Sequence, residues 1–189
     1  VRQVCDRKGL LLIYDEVLTG LGRTGQITEA EKVPCDLLCL GKAIGGGMPL
    51  SACLGKKEIL DSWPTDISEA IHTGTFFGHG LSCLVGYRTL SEIHEQALPK
   101  RAAQLGCEAM EFLKSQLSAC SHVREVRGKG LMIGVQFSPE KMAVRLMEDL
   151  RHQGVIVIPS GAKGDILSLT PALNIGRELF FEALGTICE

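Results

Sequence analysis

Two short apolar runs, Leu10 to Tyr14 and Leu37 to Leu40, constrain the fold of this chain more than any other feature. Each is too short for a helix and lacks polar alternation. Each therefore reads as a strand of a parallel sheet covered on both faces. The first run ends in Asp15-Glu16, and the second leads into Gly41-Lys42-Ala43-Ile44-Gly45-Gly46-Gly47-Met48-Pro49. A carboxylate and a lysine at two strand ends can face one pocket. The glycines leave open backbone where a bulky partner could approach closely. Lys42 is expected to be partly desolvated there. Desolvation disfavours a charged ammonium and makes a lysine amine a nucleophile, as Schiff-base chemistry requires.

The rest of the chain supplies further elements. Gly9 closes a first helix, and Leu50 to Leu54 is a third strand candidate. Lys56 to Ser62 reads as a short helix that stops near Pro64. Thr65 to Gly80 mixes polar, glycine and aromatic residues, as functional loops do. Helical periodicity runs from Leu81 to Leu98, is interrupted at Pro99, and resumes over Arg101 to Leu117. Its apolar stripe is Leu105, Ala109, Phe112, Leu113 and Leu117. Beyond it lie a strand, Leu131 to Phe137, and a helix bracketed by Pro139 and Gly154. Strands at Val155 to Ile158 and Asp165 to Leu169 flank a turn at Ser160 to Gly164, and Glu178 to Ile187 closes the chain as a helix. The expected class is α/β, with residues 1–95 as one unit, 96–118 as a connecting helix and 119–189 as a second unit.

Composition narrows the function. The net charge is −2 and no basic run stands out, so nucleic acid and anionic membranes are not expected partners. No apolar run reaches the roughly 18 residues of a membrane span. Val1 to Lys8 is neither a signal nor a transit peptide, and it lacks an initiator Met; it reads as a helix end, so the chain is expected to be a fragment. The eight cysteines form no CxxC and lie mostly in apolar contexts, which points to reduced thiols and a cytoplasmic protein. Cys35 and Cys39 could share a helix face as metal ligands, but no second pair completes a site, so no metal is expected.

Gly20-Leu21-Gly22-Arg23-Thr24-Gly25 matches the dinucleotide fingerprint literally. Its context does not. Several residues separate it from the strand's apolar run, and Thr28, read as an N-cap, lies beyond the third glycine, so no helix opens where a pyrophosphate would need one. Gly41-Lys42-Ala43 lacks the upstream glycine and the following Ser/Thr of a P-loop.

Four segments together resemble class III (ω-) aminotransferases, pyridoxal-phosphate enzymes of fold type I. They are Leu11 to Val17 with Gly20 to Gly25; Asp36 to Ser51 around Lys42; His72-Thr73-Gly74-Thr75-Phe76; and Val126 to Met132. They follow the family's order over nearly the whole chain. The resemblance implies the later part of a large, mostly parallel-sheet domain followed by a C-terminal small α/β domain. It implies that Lys42 is the Schiff-base lysine and that Asp15 keeps the pyridine nitrogen of pyridoxal 5'-phosphate protonated. Val17 would pack on the ring, and Thr75 would bind the cofactor phosphate of a neighbouring subunit. The implied reaction moves an amino group from an amine or ω-amino acid to a 2-oxo acid, in a homodimer with shared active sites.

Departures from the family pattern also bear on the reading. Leu18 stands where many relatives have a glutamine, and Gly78-His79-Gly80 replaces glycine-asparagine-proline. Ser168 stands where acetylornithine and 4-aminobutyrate enzymes place an arginine for the substrate carboxylate, which disfavours those two activities. Other readings stay open. The chain could be an inactive or non-enzymatic remnant of the fold, aggregation-prone by itself, or an aminomutase or racemase that uses the same lysine. Glu16, His72 and His79 read as structural residues, and Arg127 with Gly128 and Gly130 as a turn.

Overall fold

The computed structural model describes residues 1–63 and 72–189. The expected loop at 65–80 therefore lies partly outside the described residues. Contacts divide the chain into two units. Unit 1 comprises Val1–Leu21 and Ile27–Gln96, and unit 2 comprises Gly22–Gln26 and Ala97–Glu189.

In unit 1, helix α1 (Arg2–Lys8) ends at Gly9, whose φ of 63° is the left-handed stop that glycine provides. Three strands follow, β1 (Ile13–Asp15), β2 (Leu37–Leu40) and β3 (Ala52–Gly55), in the order β1-β2-β3. β1 and β2 are parallel, with Ile13 opposite Leu37 and Asp15 opposite Cys39. β3 is antiparallel to β2. β1 is shorter than its apolar run, because Leu12 is held by Asp36, the residue before β2. The Leu12 N–H donates to Asp36 Oδ2 at 2.7 Å, and the Leu12 carbonyl accepts from the Asp36 N–H at 2.8 Å. The expected cover on both faces is not seen among the described residues: Leu10, Leu11 and Ile13 are each more than half exposed.

Asp36 is the polar centre of this unit. It is buried and accepts from Arg2 Nη1 at 2.7 Å and Lys56 Nζ at 2.5 Å in addition to the Leu12 amide. The Arg2 bond foremost, then Lys56 and the amide, hold its carboxyl far below the usual carboxylate range. One side chain thus ties α1, the start of β1 and the end of β3 to the start of β2.

Helix α2 (Lys57–Leu60) follows β3, and helix α3 (Gly80–Glu95) completes unit 1. Helix α4 (Leu98–Gln116) begins unit 2's main segment. The break between α3 and α4 falls at Ala97, with φ 48°, and not at Pro99. Pro99 occupies the first turn of α4, where its missing N–H costs no helical bond.

Unit 2 contains strands β4 (Val123–Lys129), β5 (Met132–Phe137), β6 (Ile158–Ser160) and β7 (Ile166–Leu169), with helices α5 (Met142–His152) and α6 (Arg177–Cys188). The sheet order is β4-β5-β7-β6, antiparallel throughout. Period-two alternation decides its buried face: Ile133, Val135 and Phe137 of β5 and Leu167 and Leu169 of β7 are all buried. They share one core with Ala102, Leu105, Ala109 and Leu113 of α4, Ala143 and Leu150 of α5, and Phe180 and Leu184 of α6. The stripe expected on residues 105–117 is therefore core; Phe112 sits at its margin, edge-on to Phe181 with ring centroids 5.4 Å apart. The expected turn at Arg127 to Gly130 is instead the end of a strand. Only Gly130 turns, with φ 56°, because the β4–β5 hairpin closes there.

The pH dependence of Asp36 has a definite sign. Its native pKa is depressed, so its stabilisation is complete above the ordinary carboxylate range and is lost as pH falls through the native value. Thermal melts should fall steeply as pH drops from about 4 toward about 2. Asp36→Asn should be less stable at neutral pH and should flatten that slope; an unchanged slope in the variant would contradict the assignment.

Candidate active site

Because β1 and β2 run parallel, their carboxyl ends lie side by side. In open α/β sheets ligands bind outside such strand ends. Asp15 is the last residue of β1, and the Glu16 N–H that follows it donates to the Cys39 carbonyl of β2 at 2.9 Å. β2 ends at Leu40, and Gly41 and Lys42 come next. A side chain on Gly41 would lie 3.2 Å from Val17 Cγ1, so glycine lets the backbone before Lys42 sit directly against Val17. The structure thus brings Asp15, Val17 and Lys42 to one end of one strand pair.

The local geometry leaves both charged groups available. Asp15 is exposed, and its Oδ1 accepts from the Val17 N–H at 3.2 Å. Lys42 opens a 3-10 turn, Lys42–Gly45, with φ 47°. It is exposed, so the partial burial expected for it is not present; the turn carries it off the strand end, and Ile44 and Gly45 are the residues that bury.

The glycine cluster has a second use that the sequence reading missed. A side chain on Gly46 would meet Thr89 Oγ1 at 2.3 Å and Val85 Cγ1 at 2.9 Å, both on α3. A side chain on Gly86 of α3 would meet Leu50 Cδ2 at 2.5 Å and the Ile44 carbonyl at 3.1 Å. The missing side chains on both partners let α3 seat the Lys42 turn. Glycine inside a helix weakens it by roughly 0.5–1 kcal/mol relative to alanine, so close packing is the compensating reason for Gly86.

Thr75 lies in an exposed turn before α3. His79 caps α3, its Nδ1 lying 3.0 Å from Ser82 Oγ. The His72 ring packs 5.0 Å from Phe77. Glu16 is buried and accepts from the Glu29 N–H at 2.7 Å and from the Thr19 hydroxyl at 3.3 Å. The contacts of all three side chains are with neighbouring residues of unit 1. Cys39 lies in strand β2, so the helix face imagined for Cys35 and Cys39 does not exist.

The GxGxxG loop contributes to unit 2 and cradles no helix start. Arg23 Nη1 donates to the Leu131 carbonyl at 2.9 Å and to the Pro171 carbonyl at 2.6 Å, and burial pushes its pKa down. A side chain on Gly130 would lie 2.5 Å from the Arg23 carbonyl, so the loop and the β4–β5 turn are in backbone contact. After Thr28 comes a 3-10 turn, Glu29–Glu31, in place of a helix. Ser168 sits on β7 and lines a cavity of about 490 Å³ with Ile158 and Leu179; its hydroxyl lies 2.7 Å from that of Ser160.

The strand-end acid and the lysine thus lie at the carboxyl ends of neighbouring parallel strands of an α/β unit. The model of the family "Aminotransferase class-III" matches residues 1–189, and the chain belongs to that family. It is 36% identical to the acetylornithine aminotransferase of Methanopyrus kandleri over 100% of this chain and 47% of that protein. The ornithine aminotransferase structure from Plasmodium yoelii matches with a TM-score of 0.90 at 33% identity, covering 100% of this chain and 49% of its own. The acetylornithine aminotransferase structure from Elizabethkingia anophelis matches with a TM-score of 0.89 at 31% identity, covering 98% of this chain and 46% of its own. The chain thus has the fold of pyridoxal-phosphate transferases of fold type I and spans about half the length of these relatives.

Gly86→Leu should force α3 away from the Lys42 turn. Overpacking of this kind costs about 1–3 kcal/mol, readable as a lower urea midpoint with an unchanged m-value. Gly185→Leu, at an open position on α6, should have little effect by comparison.

Proposed function

We propose that this chain forms the lysine-bearing part of a pyridoxal 5'-phosphate-dependent aminotransferase. It would move an amino group from an amine or ω-amino acid to a 2-oxo acid. The observation that carries this reading is the convergence of Asp15, Val17 and Lys42 at the carboxyl end of the β1–β2 pair. The donor set fits the cofactor: a carboxylate with free lone pairs, an apolar side chain and an accessible primary amine.

Pyridoxal phosphate, when bound, supplies an electron sink for the bonds around the amine-bearing carbon. Lys42 would bind it covalently through Nζ and, once released, move a proton to and from the substrate carbon. Asp15 would hold a proton at the ring nitrogen by charge. Val17 would pack on one ring face. Leu18, which is largely exposed, offers no hydrogen bond to a ring hydroxyl. Thr75 would donate its hydroxyl to the phosphate held in a partner's site. Exposed Phe76, Phe77, Leu81, Leu84 and Tyr87 beside it support a homodimer contact on that surface. Ser168 brings no charge to a substrate carboxylate, which supports a donor other than acetylornithine or 4-aminobutyrate. Residues 1–95 would belong to the cofactor domain, 96–118 to a connecting helix and 119–189 to the small domain. The free cysteines support a cytoplasmic location.

Three experiments test this reading in the longest natural form of the protein. Incubation with the cofactor should give a visible absorbance that borohydride bleaches, leaving the cofactor's mass on the peptide containing Lys42. Lys42→Ala should lose both signals and transamination; retention of either would overturn the assignment. Thr75→Ala should weaken cofactor binding about 10–100-fold, the value of a lost bond to a charged group. Mixed Lys42→Ala and Thr75→Arg subunits should recover up to about a quarter of wild-type activity, since random pairing leaves that share of sites intact. No recovery on mixing would count against the shared site.

A further inference from the structure

Cys39 and Cys53 are register partners across β2 and β3. The Cys39 carbonyl accepts the Glu16 N–H on the β1 side, so the backbone groups of Cys39 face away from β3. Cys39 and Cys53 therefore form a non-hydrogen-bonded antiparallel pair. In such pairs the Cα atoms lie about 4.5 Å apart and the side chains stand together on one face. That separation falls inside the roughly 4.4–6.8 Å range of disulfide-linked residues. Cys53 is exposed and Cys39 half-buried, so the Cys53 residue is the more open of the two to solvent. Burial first, then the neighbouring Cys53 thiol, push the Cys39 thiol up, as expected for two thiols that face each other across the strand pair. Cys35 precedes β2 and has no strand partner.

We propose that Cys39 and Cys53 are an oxidisable dithiol that closes to a reversible cross-strand disulfide on exposure to a small-molecule disulfide. The Cys53 thiolate attacks one sulfur of the oxidant, forms a mixed disulfide and expels the first small thiol. The Cys39 sulfur then gives up its proton, attacks the Cys53 sulfur and expels the second. One small-molecule disulfide is reduced to two thiols, and the two cysteines together lose two hydrogens. Cys39 is also the register partner of Asp15 and lies three residues before Lys42. The new bond would brace the sheet that carries both.

The test is peptide mapping of the native chain after treatment with oxidised glutathione, an acid quench and alkylation. Trypsin separates residues 33–42 from residues 43–56. The expected product is these two peptides joined, lighter than their sum by two hydrogens, with fragmentation placing the link at Cys39 and leaving Cys35 alkylated. Reductant should reverse it, Cys53→Ser should abolish it, and oxidation in denaturing urea should give much less of it. A link through Cys35, a glutathione adduct on Cys53 that never resolves, or equal yield from the unfolded chain would each overturn the proposal. The readout needs no cofactor, so it stands or falls apart from the aminotransferase reading.

Discussion

The carboxylate of Asp36 is the interaction on which unit 1 depends. It is buried, and a buried charge without partners costs several kcal/mol. Here its oxygens are met by Arg2, Lys56 and the Leu12 amide. Those partners come from α1, the approach to β1 and the residue after β3. Strands of three or four residues bury too little to set their own register. Asp36 sets it from the amino end of β2, and the consequence appears at the carboxyl end, where Asp15 and Lys42 emerge side by side.

Unit 2 relies on a different device. Its core is built from period-two strands and heptad-like helix stripes, which specify themselves. The loop from Gly22 to Gln26 joins it by backbone contact, with Arg23 donating to two carbonyls and Gly130 leaving room for the Arg23 carbonyl. A guanidinium has five donors in a fixed fork, so one arginine can satisfy carbonyls from separate segments. The glycines of this loop resemble a nucleotide cradle in one dimension and act as packing surfaces in three.

Much of the secondary structure was legible from pattern. Both strands of the parallel pair, the stripe on α4 and the β5 and β7 strands follow from apolar spacing. The failures share a cause. Pro99 looked like an interruption because its place in the first turn depends on where Ala97 breaks the helix. Arg127 to Lys129 looked like a turn because two glycines flank a lysine, yet pairing with β5 makes them a strand. Lys42 was expected to be partly desolvated, but burial depends on neighbours that spacing along the chain does not reveal.

By itself the sequence determined most of the element types and the family pattern, and it singled out an acid and a lysine at two strand ends. Those depend on local periodicity and on chemistry that only certain side chains possess. Tertiary structure alone decided that Asp15, Val17 and Lys42 share one strand end, that Gly46 and Gly86 serve α3, and that Cys39 faces Cys53. Each of these is a contact between segments distant in the chain. Such contacts are set by strand direction and register, and a one-residue shift in pairing would undo them.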